Sequence, residues 1–404
     1  QRSIEASYMR ANPVWLPGKL QQLLLDACLL DDDRARHAFA EWRSLVDVER
    51  IDAGSYRMLP LLWKRISALG IDDPLREKLK GVYRKTWYFN GLAIPKAARV
   101  LELLAASGVP AIVFKGVALT LEHYRDIGVR PMGDIDIAVP RELARKAVDT
   151  LVEHGWIPEI TPLTGARVAG SSAVSRWTIG LRPARDFDDD YFDARHAHGF
   201  TKGSDAQLDL HWFLLQGNCD AGIDDSVWAD AKPLVVAGVS ALTLSPEDHL
   251  LLLLAHGARW NPIPPVRWVA DAVTLIRAEP QLSWETVVDR ARQRRLVLVA
   301  RNLLSYLEER FALLPAGLIR ELDTGVVTRQ EGRDYRMRVS PPGLATGIEE
   351  VLYLRRRYLA GRRAHRDATA RRSFTAYVRH VLGAASLPHV GGYALSEIAR
   401  RARD

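Results

Sequence analysis

The chain has 404 residues, 48% hydrophobic and 26% charged, an ordinary globular composition with room for two or three domains and a substantial core. It contains no apolar run of about eighteen residues, which argues against a membrane span, and no secretory leader is visible at Gln1. Two distant cysteines, Cys28 and Cys219, match no metal or redox spacing and point to a reducing cytoplasm; the net charge of +7 leaves nucleic acid, acidic protein or polyphosphate open as partners.

Residues 1–107 read as an N-terminal helical region. Leu20–Leu30 is apolar-rich and Arg34–Val46 is amphipathic. Gly70 suits a helix C-cap, Asp73-Pro74 a helix start, and Gly108 stops a helix over Ala93–Ser107. Of its polar residues, Asn90 and Arg99 are the ones that could approach a bound ligand.

Residues 108–240 read as a mixed core. Ala111–Phe114 is a short strand broken by Lys115-Gly116, Val117–Tyr124 has helical spacing, and Arg125–Gly133 is a loop. Asp134-Ile135-Asp136-Ile137 then alternates with period two. Ile135 and Ile137 share one face of a strand, and Asp134 and Asp136 the other. Two carboxylates side by side repel unless a divalent cation sits between them. Further Asp-x-Asp pairs occur at Asp31/Asp33, Asp186/Asp188 and Asp188/Asp190, but they lie in acid runs and read as solvated loops. The strand-to-helix turn at Lys115-Gly116 exposes backbone N–H groups suited to an anion. Thr161–Ser172 is rich in Gly, Ser and Thr, and Arg185–Arg195 reads as an acid-rich exposed loop. His196–Thr201 and Gln207–Trp212 form a hairpin in which Leu208 and Leu210 share one face, and Asp209 and His211 the other.

Residues 241–404 read as a C-terminal helical domain with an arginine-rich end. Ser245-Pro246-Glu247-Asp248 is a strong helix start. His249 and His256, seven apart, read as core residues or as polar residues beside a bound ligand. From Val351 to Asp404 there are twelve arginines and no lysine against Asp367, Glu397 and Asp404, either a solvated helix surface or a nucleic-acid face.

Phe114-Lys115-Gly116, Arg130, Asp134-Ile135-Asp136 and Asp209-Leu210-His211-Trp212 together resemble the active-site hairpin of the DNA polymerase β nucleotidyltransferase superfamily. More closely, they are similar to a poorly characterised bacterial nucleotidyltransferase family with the order Leu-Lys-Gly, Arg, Asp-x-Asp, Asp-Leu-His-Trp. The superfamily's usual Gly-Ser pair is Lys115-Gly116 here. The resemblance covers about residues 20–280 and implies an α+β fold: a small mixed β-sheet nucleotidyltransferase core with helices, flanked by N-terminal and C-terminal helical regions. It implies a Mg²⁺-dependent (or Mn²⁺-dependent) enzyme in which Asp134, Asp136 and Asp209 hold metal and are catalytic. Lys115, Gly116, Arg130, His211, Arg267 and Asp271 would bind the nucleoside triphosphate, Arg267 and Asp271 from the far side of the cleft. The expected reaction moves a nucleotidyl group to a hydroxyl of a small molecule, peptide or protein and releases pyrophosphate. Alternatives are transfer to an RNA end of tRNA type, as in toxin relatives, with the arginine-rich end as its docking face, or a catalytically silent nucleotide-binding scaffold. A metal-dependent glycosyltransferase fits the Lys-Gly turn and Asp209 poorly.

Overall fold

The computed structural model describes residues 15–159, 187–203, 206–341, 344–364 and 372–382. Stretch 161–172 and part of the arginine-rich end lie outside them. The fold is α+β, as expected. The principal helices of the N-terminal part are α1 (Lys19–Leu29), α2 (Asp32–Leu45), α3 (Leu59–Ala68) and α4 (Arg76–Ala106). Asp31 caps α2 by accepting the Arg34 N–H at 3.1 Å. Gly70 (φ 64°) and Gly108 (φ 67°) end their helices in the left-handed conformation that glycine adopts most easily.

Among the described residues, seven strands form one sheet: β1 (Ile112–Phe114), β2 (Ile135–Ala138), β3 (Ile157–Pro158), β4 (Ala197–Lys202), β5 (Ala206–His211), β6 (Lys232–Val236) and β7 (Val239–Thr243), in the order β3-β4-β5-β2-β1-β7-β6. The β4–β5 pair is the expected antiparallel hairpin, with Gly199 opposite Asp209 and Ala197 opposite His211. The β6–β7 hairpin is an addition to the sequence reading. Its turn, Ala237 (φ 47°) and Gly238 (φ 87°), has both central residues at positive φ, the signature of a tight hairpin.

The chain divides into two compact units, each built from three separate segments. The first comprises residues 1–99, 113–135 and 227–341; the second, 100–112, 136–226 and 342–404. In the first, α8 (Pro246–Gly257) is the central helix, with Leu250–Leu254 all buried. Around it pack α9 (Arg267–Ala278), α10 (Trp284–Gln293) and α11 (Val297–Phe311). Ser245 caps α8 through the Asp248 N–H at 3.2 Å, with Pro246 at the first position, as its sequence predicts. Helix α1 joins this bundle: Asp26 pairs with Arg310, and Gln22 accepts from the Tyr306 hydroxyl at 2.7 Å. In the second unit, α5 (Ala144–Glu153) accompanies strands β2–β5, and α6 (Asp189–Ala194) packs against α12 (Leu344–Ala364) and α13 (Phe374–Leu382); the short helix α7 (Asp225–Ala229) lies between β5 and β6 in the chain. The shared core of α6, α12 and α13 is Ala194, Leu354, Tyr377, Val378, Val381 and Leu382. No described helix is long and apolar enough to cross a membrane.

Candidate functional site

In the second unit, β2 and β5 bring three polar side chains together. All four β2 residues are buried, including Asp136 at 3% exposure. A carboxylate at that depth is costly unless something compensates its charge. On β5, Leu208 and Leu210 are fully buried on one face; Asp209 and His211, two residues apart, share the other. The Val139 N–H donates to the His211 carbonyl at 2.9 Å, fixing the registration of that strand end. His211 Nε2 lies 3.3 Å from Asp136 Oδ1, and its ring meets His196 edge-on at 5.5 Å. One ligand atom each from Asp136, Asp209 and His211 lies within 4.8 Å of the others. Two carboxylates and an imidazole at that spacing are a donor set for one divalent cation.

The sequence expectation put Asp134, Asp136 and Asp209 on metal and His211 on nucleotide. The geometry brings His211 into the carboxylate cluster, a role that strand alternation does not reveal because alternation gives the face and not the neighbour across it. Asp134 stands just before β2, half-buried, and its charge acts on Arg267.

The first unit holds the Lys115–Gly116 turn and the cations expected to serve it. Lys115 has φ 49° and ψ −115°, a backbone conformation that residues with a Cβ rarely adopt. Its N–H donates to His249 Nε2 at 3.1 Å. His249 is completely buried, and burial, aided by His123 and Arg130, pushes its pKa down to about 3, so the ring is neutral. A Cβ on Gly116 would lie 3.2 Å from Arg130 Nη1 and 3.1 Å from Met132 Cγ, so the glycine admits both close beside the turn.

Arg130 is itself buried. Its Nε and Nη2 donate to the two oxygens of Asp271 at 2.9 and 2.8 Å, a bidentate pair, and the Tyr124 hydroxyl donates to Asp271 Oδ1 at 2.9 Å. Burial alone would raise the Asp271 pKa; Arg130, Arg267 and Tyr124 outweigh it and hold the carboxyl below its ordinary value. Arg267 Nη1 donates to the Pro131 carbonyl at 2.8 Å. Burial, with Arg130 and Arg57 against it, lowers Arg267 to about 10, while Asp271 and Asp134 favour its charge. Arg267 and Asp271 thus gather on the Arg130 loop. Asn90 donates to the Ile127 and Arg130 carbonyls at 2.6 and 2.8 Å and accepts the Met132 N–H at 3.2 Å, pinning that loop. Arg99, the other polar residue singled out nearby in sequence, is exposed.

Two further groups escape sequence reasoning. Burial beside Glu279 raises Glu122 to about 7, and burial beside Arg125 lowers His123 to about 4, although His123 Nδ1 lies 3.5 Å from Glu279. They sit in a short π-helical stretch, Thr120–Tyr124, that no sequence signal marks.

The acid-rich stretch 185–195, expected as an exposed loop, is helical over Asp189–Ala194 and buries Tyr191 and Phe192. Asp188 caps that helix through the Tyr191 N–H at 3.0 Å. Its acids meet arginines of the same unit: Arg141 pairs with Asp193, and Arg372 with Asp188 and Asp190; beyond the stretch, Arg357 pairs with Asp220. Part of the arginine-rich charge is therefore answered internally.

Against this geometry, residues 40–312 match the model of a family described as an uncharacterised nucleotidyltransferase. No curated protein matches the chain.

Proposed function

The chain belongs to that nucleotidyltransferase family, whose model spans most of it, and on this footing we propose that it transfers a nucleotidyl group from a nucleoside triphosphate to a hydroxyl acceptor with release of pyrophosphate. The observation that carries the reading is the convergence of Asp136, Asp209 and His211 within 4.8 Å.

The donor set fits a divalent cation: two hard carboxylates suit Mg²⁺ or Mn²⁺, and the imidazole adds affinity for transition ions. Asp136, Asp209 and His211 would hold it, with Asp134, two residues from Asp136, as a further carboxylate. When bound, such an ion neutralises charge building on the transferring phosphorus and orients the reacting oxygens. Asp209, the half-buried member of the set, would accept the proton of the acceptor hydroxyl. Lys115, the Gly116 backbone and Arg130 are the phosphate-binding groups, and Asp271 keeps the Arg130 fork oriented. Arg267, the first residue of α9, joins them through its hydrogen bond to the Pro131 carbonyl. Positioning and electrostatics, rather than a covalent intermediate, supply the rate.

A small molecule, peptide or protein is preferred over RNA as the acceptor. Two of the arginines that favour RNA, Arg357 and Arg372, are paired with Asp220, Asp188 and Asp190. The decisive test supplies each α-labelled ribonucleoside triphosphate with Mg²⁺ or Mn²⁺ and cell extract, with Asp136→Ala as control. Label entering small molecules or protein, and lost in the variant, supports the reading. Label entering RNA moves the acceptor to the tRNA class. Transfer that persists in the variant sinks the assignment.

A further inference from the structure

We propose that His249 is a positioning residue that clamps the phosphate-binding turn by accepting the Lys115 N–H. The proposal rests on the reading of Lys115–Gly116 as that turn. It begins from the backbone: φ 49° and ψ −115° at Lys115 fall in the first central position of a type II′ turn, a place that glycine takes without strain and a residue with a Cβ does not. Something outside the turn must hold Lys115 there. Both backbone polar groups of the residue are tied. Its carbonyl accepts the Leu119 N–H at 2.9 Å, starting the helical turn Gly116–Leu119. Its N–H goes to the His249 ring at 3.1 Å.

Beyond this bond, the ring packs edge-on against His123, with centroids 6.1 Å apart. His249 is completely buried on α8 and sits among His123, Arg130, Lys115 and Asp271, a set with more positive than negative charge. It is therefore neutral and can accept at Nε2, which puts the ring proton on Nδ1. Nδ1 has no hydrogen-bond partner among the described residues. An unmatched buried donor is costly, and an apolar residue would avoid it. What the imidazole supplies that an apolar residue cannot is the acceptor for Lys115. If the clamp opened and Lys115 relaxed to negative φ, the Gly116 peptide would rotate next to Arg130 Nη1 and Met132, which leave no spare space at that position.

The test is a double-mutant cycle that separates a clamp from simple packing. His249→Leu is made in Lys115→Ala and in Lys115→Gly backgrounds, with His249→Gln as the variant that keeps an acceptor oxygen at Nε2. Thermal unfolding is recorded for all, and calorimetry measures Mn²⁺-dependent binding of α,β-methylene nucleoside triphosphates. In the alanine background, which keeps the strained backbone, His249→Leu is expected to weaken the folded state by about tenfold, the scale of one buried hydrogen bond. In the glycine background, where positive φ is free, the loss should shrink to about twofold, and His249→Gln should recover most of it. Equal losses in both backgrounds would overturn the clamp and leave His249 a packing residue. The same pattern in nucleotide affinity links the clamp to phosphate binding. If the wild-type chain binds no nucleotide, the phosphate reading fails, while the unfolding cycle still decides whether His249 holds Lys115.

Discussion

Two groups of carboxylates in the second unit look alike in sequence and differ in what surrounds them. Asp188, Asp190 and Asp193 face arginines: Arg372 reaches the first two and Arg141 the third, and Asp188 also caps a helix. Their charge is matched, and they hold helices together. Asp136 and Asp209 face each other and the imidazole of His211. The comparison teaches that Asp-x-Asp acquires chemical meaning from the next strand. Asp31, in another such pair, is a helix cap, whereas Asp136 lies on a strand whose neighbour in the sheet carries the other two donors.

The sharpest way to break that contrast is to neutralise each group in turn. Asp136→Ala or Asp209→Ala should cut nucleotidyl transfer by about 10³-fold or more, because positioned charge supplies most of the rate. Circular dichroism should stay native. Neutralising Asp190 should leave transfer within about threefold, the scale of a surface ion pair. A chelator should reproduce the Asp136→Ala loss in the wild type, and Mg²⁺ or Mn²⁺ should reverse it. Normal turnover in either alanine variant would return both carboxylates to the structural class.

The next largest effect belongs to a charged pair that is satisfied rather than poised. Arg130 and Asp271 are both at least 95% buried and bidentate. Arg130→Ala alone should destabilise the fold by about 3–5 kcal/mol, since it strands a buried carboxylate; Arg130→Met with Asp271→Leu should cost much less. Denaturant midpoints measure both. A double variant that is as unstable as the single one would show that the loop depends on the charges themselves, rather than on filling their volume.

A smaller effect sharpens the role of the imidazole. His211→Ala should weaken Mn²⁺ binding by about 10–100-fold, the range for losing one supporting donor. His211→Asp should restore binding while shifting preference toward Mg²⁺, because oxygen replaces nitrogen. Titration calorimetry with each ion decides this. Unchanged affinities would leave His211 as an orienting neighbour of Asp136, at their 3.3 Å separation.

How much of this was legible in the sequence depends on the range of the interaction. Period-two alternation placed Asp136 and Asp209 on polar strand faces, and the Ser245 cap and Gly70 and Gly108 stops followed from local rules. The β6–β7 hairpin was also local: Ala237-Gly238 between alternating residues is its signal, a weaker one than Asn-Gly. By contrast, the Arg130–Asp271 pair joins residues 141 apart, and Lys115–His249 joins residues 134 apart. No periodicity reports such a partner. The acid run 185–195 was misread as an exposed loop because its charges dominate the composition. Tyr191, Phe192 and Ala194, the residues that bury the helix, are only three of its eleven.

The smallest predicted effect tests the satisfied acids through pH. Burial raises the Asp188 pKa, but the His380 hydrogen bond, the Tyr191 N–H and Arg372 outweigh it and hold the carboxyl at about 2. Because this folded value lies below the ordinary one, the unfolded chain binds the proton more readily. Asp188 therefore stabilises the fold above about pH 4 and loses that contribution as pH falls toward 2. Over this window wild type should lose about 1–2 kcal/mol more than Asp188→Asn, discounted for partial exposure. Buried His123 and His198, each lowered to about 4 chiefly by desolvation, add a separate loss that begins below about pH 6.5. That loss is common to both proteins and cancels in their difference. Denaturant midpoints at pH 7, 5 and 3 would isolate the Asp188 contribution. If the difference is flat with pH, Arg372 and His380 fail to hold Asp188 ionised, and the distinction between arginine-matched carboxylates and the Asp136–Asp209–His211 cluster loses its first half.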